Sequence, residues 1–68
     1  MKYYGRREWL KDIRESKKLT QFEAALAIDV TPEYYQKLEY GTKNPSIEVA
    51  VKLSQLFGFP VERLVQSH

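Results

Sequence analysis

Apolar positions recur at helical spacing along almost the whole chain, and a sustained period-2 alternation is absent. From about Arg7 to Lys17, Leu10, Ile13 and Arg14 share one face at i, i+3 and i+4. A second helix opens at Thr20-Gln21-Phe22-Glu23. There the Thr20 hydroxyl can accept from the Glu23 N–H while the Glu23 carboxylate reaches back, a capping box. It runs through Ala24, Ala25 and Leu26 to a four-residue turn at Ile28–Thr31. The third helix spans Pro32 to Tyr40, capped by Thr31 and ended by Gly41. Thr42 to Pro45 is a loop, because Pro45 disfavours helical geometry at Asn44. Ser46 caps a fourth helix whose Ile47, Ala50, Leu53, Ser54 and Phe57 form a predicted buried stripe, and Gly58 ends it. Pro60 starts a last short helix with Val61, Leu64 and Val65 apolar. The pattern predicts an all-α protein, a compact five-helix bundle forming one domain over 1–68.

Sixty-eight residues give a core near the lower limit for independent stability. Cysteine is absent, and the one histidine, His68, is the last residue, so neither a thiol nucleophile nor a metal-ligand cluster is available. No Gly-rich phosphate loop is present, and Asp12 and Glu15 read as solvated charges rather than an acid–base pair. Catalysis, a cofactor and a metal are therefore not expected. The N-terminus lacks an apolar signal region and no run could span a bilayer, which points to a soluble cytoplasmic protein.

The net charge of +2 matters less than its distribution. Met1 to Lys18 carries seven bases and three acids, Leu19 to Gln36 no base and three acids, and the remainder four bases and three acids. Trp9 and the pair Tyr3-Tyr4 read as packing residues, since a base-stacking platform is normally built on a sheet.

With the helices placed, Leu19-Thr20-Gln21-x-Glu23-x-Ala25, then the turn, Leu38-Glu39-x-Gly41 and Asn44-Pro45-Ser46-Ile47 resemble the Cro/cI-type helix-turn-helix family, also called the xenobiotic response element family. The motif lies at about 20–40, and the likeness runs from about Leu10 to Val65. Independent physical reasons agree: Ala25 is small where the two helices cross, and Ile28, Val30, Tyr35 and Leu38 supply the apolar inner face. The chain departs from the family at Lys18 and Asp29, where glycine is usual. Asp29 can visit the left-handed region easily, whereas Lys18 is either strained there or ends its helix differently. Ala24 is smaller than usual, leaving space that Tyr35 can fill.

The resemblance implies a DNA-binding regulator, a repressor or small controller, whose third helix lies in the major groove. It places Pro32, Glu33, Tyr34 and Lys37 at the bases, Gln21, Tyr40, Thr42 and Lys43 on the phosphates, and Thr31 among the DNA-binding residues. Gln21 stands beside helix N–H groups that favour an anion. Glu33 can accept from a cytosine amino group, or serve only as a helix-dipole charge. It stands four residues before Lys37, so the two can pair in the free protein. The resemblance pairs Arg14 with Glu39 as an internal ion pair; two separately solvated charges are the alternative. Near the N-terminus, Arg6, Arg7 and Lys11 could add charge for phosphate anchoring, with solvated surface the favoured reading.

Few bases on the motif imply weak binding by one copy, and hence a homodimer, with Leu56, Phe59, Val61 and Val65 either a possible interface or simply closing a small core. Phe22 and Leu26 form a second apolar pair, fit for a protein partner. An antitoxin or antirepressor partner on the same scaffold is the alternative function.

Overall fold

The computed structural model describes residues 4–65, with Val65 described by its backbone alone. The expectations for Tyr3, for the Val65 side chain and for His68 lie outside the described residues. Among those described, the chain forms α1 (Glu8–Ser16), α2 (Gln21–Ala27), α3 (Pro32–Tyr40), α4 (Ile47–Phe57) and α5 (Glu62–Val65), with no strand.

Local chemistry fixes most helix ends. Thr20 and Glu23 form both halves of the capping box, at 3.0 Å and 2.9 Å. The hydroxyls of Thr31 and Ser46 accept from the backbones of Tyr34 and Val49, at 3.1 and 3.3 Å, each satisfying an N–H that has no partner within its own helix. Gly41 and Gly58 end α3 and α4 in the left-handed conformation, at φ 85° and 78°. Lys18 and Asp29 do the same after α1 and α2, at φ 61° and 62°. Lys18 is thus held in the strained geometry. There the chain turns so that the Leu19 N–H reaches the Arg14 carbonyl.

The core gathers Leu10 of α1, Ala24 and Ala25 of α2, Tyr35 and Leu38 of α3, and Ala50 and Leu53 of α4, all fully buried. The two alanines place no bulk where α2 meets α3, and Tyr35 is buried in the same cluster. Trp9 packs edge-on against Phe59, ring centroids 5.0 Å apart, and the Arg63 guanidinium lies over the Trp9 ring, 4.1 Å from its centroid.

Three expectations need correction. Ile47 is 67% exposed, not part of the buried stripe. It is the first residue of α4, and side chains lean toward the helix N-terminus, here past the edge of the core. Phe59 is only 7% exposed, held between Trp9 and Phe57, so it closes the core and offers no docking surface. Pro60 forms a turn with Val61, and α5 begins two residues later, at Glu62.

Two glycines that look alike in sequence differ in surroundings. A Cβ on Gly41 would collide with the Gly5 backbone, whereas one on Gly58 would meet nothing within 4 Å. Gly58→Ala should therefore cost only the left-handed penalty of about 1–2 kcal/mol, and Gly41→Ala clearly more. Equal melting temperatures for the two variants would contradict the close approach. Lys18→Gly should instead raise stability by about 1 kcal/mol, net of the freedom glycine gains in the unfolded chain, measured by thermal denaturation.

Candidate nucleic-acid interface

Beneath the motif, the Glu39 carboxylate is buried and fully engaged. Its Oε2 accepts from Arg14 Nε at 2.6 Å and from the Tyr35 hydroxyl at 2.7 Å. Its Oε1 accepts from Gln21 Nε2 at 3.0 Å and Arg14 Nη2 at 3.3 Å. Arg14 also donates to the Leu19 carbonyl at 2.8 Å. One carboxylate thus joins α1, the first residue of α2, and α3.

Burial alone would push the Glu39 pKa up, but hydrogen bonds from Arg14, Tyr35 and Gln21, with the Arg14 charge, outweigh it and hold the carboxyl below its ordinary range. The hydrogen bond to Glu39 raises Arg14 further above its ordinary value. Burial, then the bond to the carboxylate, pushes the Tyr35 phenol up. At neutral pH the cluster is a carboxylate, a guanidinium and a neutral phenol.

A second set of bonds closes the other end of α3. The last carbonyls of a helix have no partner within it. Here Lys37 O accepts from Gly41 and Thr42 N–H, at 2.9 and 3.1 Å. The segment before α1 supplies donors for the next ones. Arg7 Nη1 reaches Leu38 O at 2.6 Å, Arg7 N–H reaches Glu39 O at 2.8 Å, and Tyr4 N–H reaches Gly41 O at 2.6 Å. Arg7 also donates to Lys43 O and to Asn44 Oδ1, at 3.2 and 2.7 Å. Arg7 is thus buried, against the expectation of solvated surface. Burial lowers its pKa from its ordinary value, but the carbonyls around it and the negative end of α3 favour the cation. Sequence reasoning missed this role. Two arginines stand side by side ahead of α1, and only the path of the folded backbone decides which one turns inward.

The expected base readers Pro32, Glu33 and Lys37 are exposed, as is Thr31, while Tyr34 is half-buried and gives part of its ring to packing. Glu33 and Lys37 do not pair with each other; ion pairs within 4 Å among the described residues are Arg6–Glu8 and Arg14–Glu39. Both side chains are solvated, where such a pair is worth little. Lys37, Tyr40, Thr42 and Lys43 line one open depression of about 760 Å³. Gln21 is drawn inward more than expected. Its amide donates to Glu39 and accepts from Gln36 at 3.3 Å, leaving one Nε2 proton for an outside acceptor.

Two short helices joined by a tight turn, the second with Pro32 and Glu33 of its first turn exposed to solvent, define a helix-turn-helix protein. Residues 10–64 match the family model described as helix-turn-helix, and the chain belongs to the Cro/cI-type helix-turn-helix family of DNA-binding transcriptional regulators. It is 42% identical over 53 residues to the HTH-type transcriptional regulator YqaF of Bacillus subtilis (strain 168), covering 78% of this chain and 70% of that protein. It is 36% identical over 56 residues to the cryptic phage CTXphi transcriptional repressor RstR of Vibrio cholerae, covering 82% of this chain. The alignment spans half of that repressor. No helix among the described residues is long and apolar enough to cross a membrane.

Glu39→Gln should remove about 3–5 kcal/mol, because the Arg14 charge is left buried without its partner. The sign of the pH dependence follows from the lowered carboxyl. The stabilisation is complete above the unfolded value near 4.5 and is lost as pH falls through the lower folded value. Acid titration should therefore show a loss of stability below pH 4.5 in the parent that is diminished in Glu39→Gln. An equal acid profile in both would show that the pair contributes nothing.

Proposed function

We propose that this chain is a sequence-specific repressor or small controller of transcription that reads double-stranded DNA in the major groove with the N-terminal half of α3. The observation that carries the reading is the bare face of Thr31, Pro32, Glu33 and Lys37 above a scaffold locked by Glu39. Reading side chains must project from a rigid element to discriminate bases. Similarity to a phage repressor supports repression as the outcome.

Lys37 donates to guanine acceptors, and Glu33 accepts from a cytosine amino group while repelling wrongly placed acceptors. Tyr40, Thr42, Lys43 and the outward amide proton of Gln21 hold the phosphates and fix the register. Tyr34 contributes its exposed edge beside them.

With no base between Leu19 and Gln36, the motif itself releases few counterions, so binding of one copy is weak and two copies act together on a paired site. The half-buried Leu56 and Val61 at the C-terminal end are the proposed contact. A protein-partner role rests on the acidic Glu33 and on Phe22 and Leu26, 57% and 64% exposed, while family membership favours DNA.

Lys37→Ala should lose about 1–3 kcal/mol of binding and relax preference at one base position. Glu33→Gln should change which base is preferred, toward adenine. Affinities across single-base variants of an operator selected from random DNA measure both effects, and unchanged preference in both variants would turn the reading toward a protein partner. In sedimentation at high micromolar concentration the parent should dimerise and Val61→Asp should not. A strict monomer that binds a single half-site tightly would defeat the dimer.

A further inference from the structure

The segment before α1 is a fixed part of the surface that α3 presents. Arg7 and Tyr4 bond it to the end of α3, and Gly5 passes against Gly41 so closely that no side chain fits between them. This places Arg6 with its guanidinium 5.1 Å over the Tyr40 ring. The Arg6–Tyr40 stack borders two hollows, since Tyr40 lines both. On one side is the depression with Lys37 and Lys43; Tyr4 lines its wall. On the other is a smaller hollow of about 150 Å³, reached by Arg6, Lys11 and Gln21.

The smaller hollow has an excess of positive charge. Four cations line it, Arg6, Arg7, Lys11 and Arg14, against Glu8 and Glu39. Glu39 is committed to Arg14. Glu8 holds Arg6 at 3.6 Å, with both side chains more than half exposed, longer than the roughly 2.7–2.9 Å of a tight charged hydrogen bond. The volume is below the roughly 300–1,000 Å³ of pockets for organic ligands. It suits a phosphate group.

We infer that this hollow is a phosphate seat for the DNA backbone, formed by Arg6 and Lys11 with the outward proton of Gln21, and that the segment ahead of α1 is thereby a second DNA-contacting element. The inference rests on the DNA-binding reading above. One strand passes over the Arg6–Tyr40 stack, with one phosphate in this hollow and another in the depression beside Lys43. It adds the basic charge that α2 and the start of α3 lack. These contacts carry no base information, so they raise affinity on every sequence alike.

The test is binding of the selected operator and of a scrambled duplex by the full chain, at several salt concentrations. Arg6→Ala and Lys11→Ala should each weaken both duplexes several-fold at low salt and reduce the salt slope by about one, with the base preference unchanged. Arg6→Lys should restore the slope, and Glu8→Gln should tighten binding. Lys52→Ala, which removes an exposed charge lining neither hollow, should leave the slope as it is. Thermal midpoints near the parent's show that the variants are folded; Arg6 and Lys11 are both exposed, so a loss of fold in either would itself contradict the placement. If the parent binds no duplex, the DNA-binding reading fails and this inference with it. If the parent binds and selects, but Arg6→Ala and Lys11→Ala keep its slope and affinity, or Lys52→Ala matches them, the phosphate seat alone is overturned.

Discussion

A carboxylate enclosed by protein must find hydrogen bonds for both oxygens or it destabilises the fold. Glu39 meets this demand with donors from three helices: Arg14 of α1, Gln21 of α2 and Tyr35 of α3. The requirement acts as a geometric lock. Each donor must arrive at bonding distance at the same time, which leaves α2 and α3 little freedom to change their crossing. Apolar packing through Ala24, Ala25 and Leu38 supplies the close approach, but such packing tolerates small slips. Directed bonds to a buried charge do not. This is how a domain of this size, with little core to spare, holds α3 in one orientation.

The far end of α3 is handled by a different device. Its terminal carbonyls are met by Arg7 and the backbone of the segment before α1. The same guanidinium holds Lys43 O and the Asn44 side chain, so the loop after α3 is fixed along with it. A positive charge at the negative end of a helix is favourable in itself. Here it also brings the basic N-terminal stretch alongside a motif whose own residues between Leu19 and Gln36 include no base. Positive charge absent from the motif is thus restored around it by tertiary contact. The surface divides accordingly, with the exposed Thr31, Pro32 and Glu33 at the start of α3 and the basic Lys37, Lys43 and Arg6 around its end.

The apolar surface shows how a small core distributes its residues. Phe59 and Trp9 stack against each other and complete the core near the C-terminal end, while Ile47, Phe22 and Leu26 are left outside. A hydrophobic side chain near a helix end can lie on the correct stripe and still find no neighbour opposite it. Burial depends on what is across the interface as well as on periodicity.

The amino-acid sequence by itself determined the helices, because their signals are local. Thr20 with Glu23, Thr31 with Pro32, Ser46, Gly41 and Gly58 act within a few residues of where they stand, and each terminus lies where this chemistry places it. The motif's spacing also determined the family and the exposed face of α3. The tertiary structure alone decided what depends on long-range contact: that Arg7 rather than Arg6 turns inward, that Phe59 is enclosed and Ile47 is not, and that the Gln21 amide is drawn toward Glu39. The reason is physical. A cap or a turn is satisfied by neighbours along the chain, whereas a buried charge is satisfied by groups such as Leu38 O and Asn44 Oδ1, more than thirty residues from Arg7, and only the folded path of the backbone brings them together.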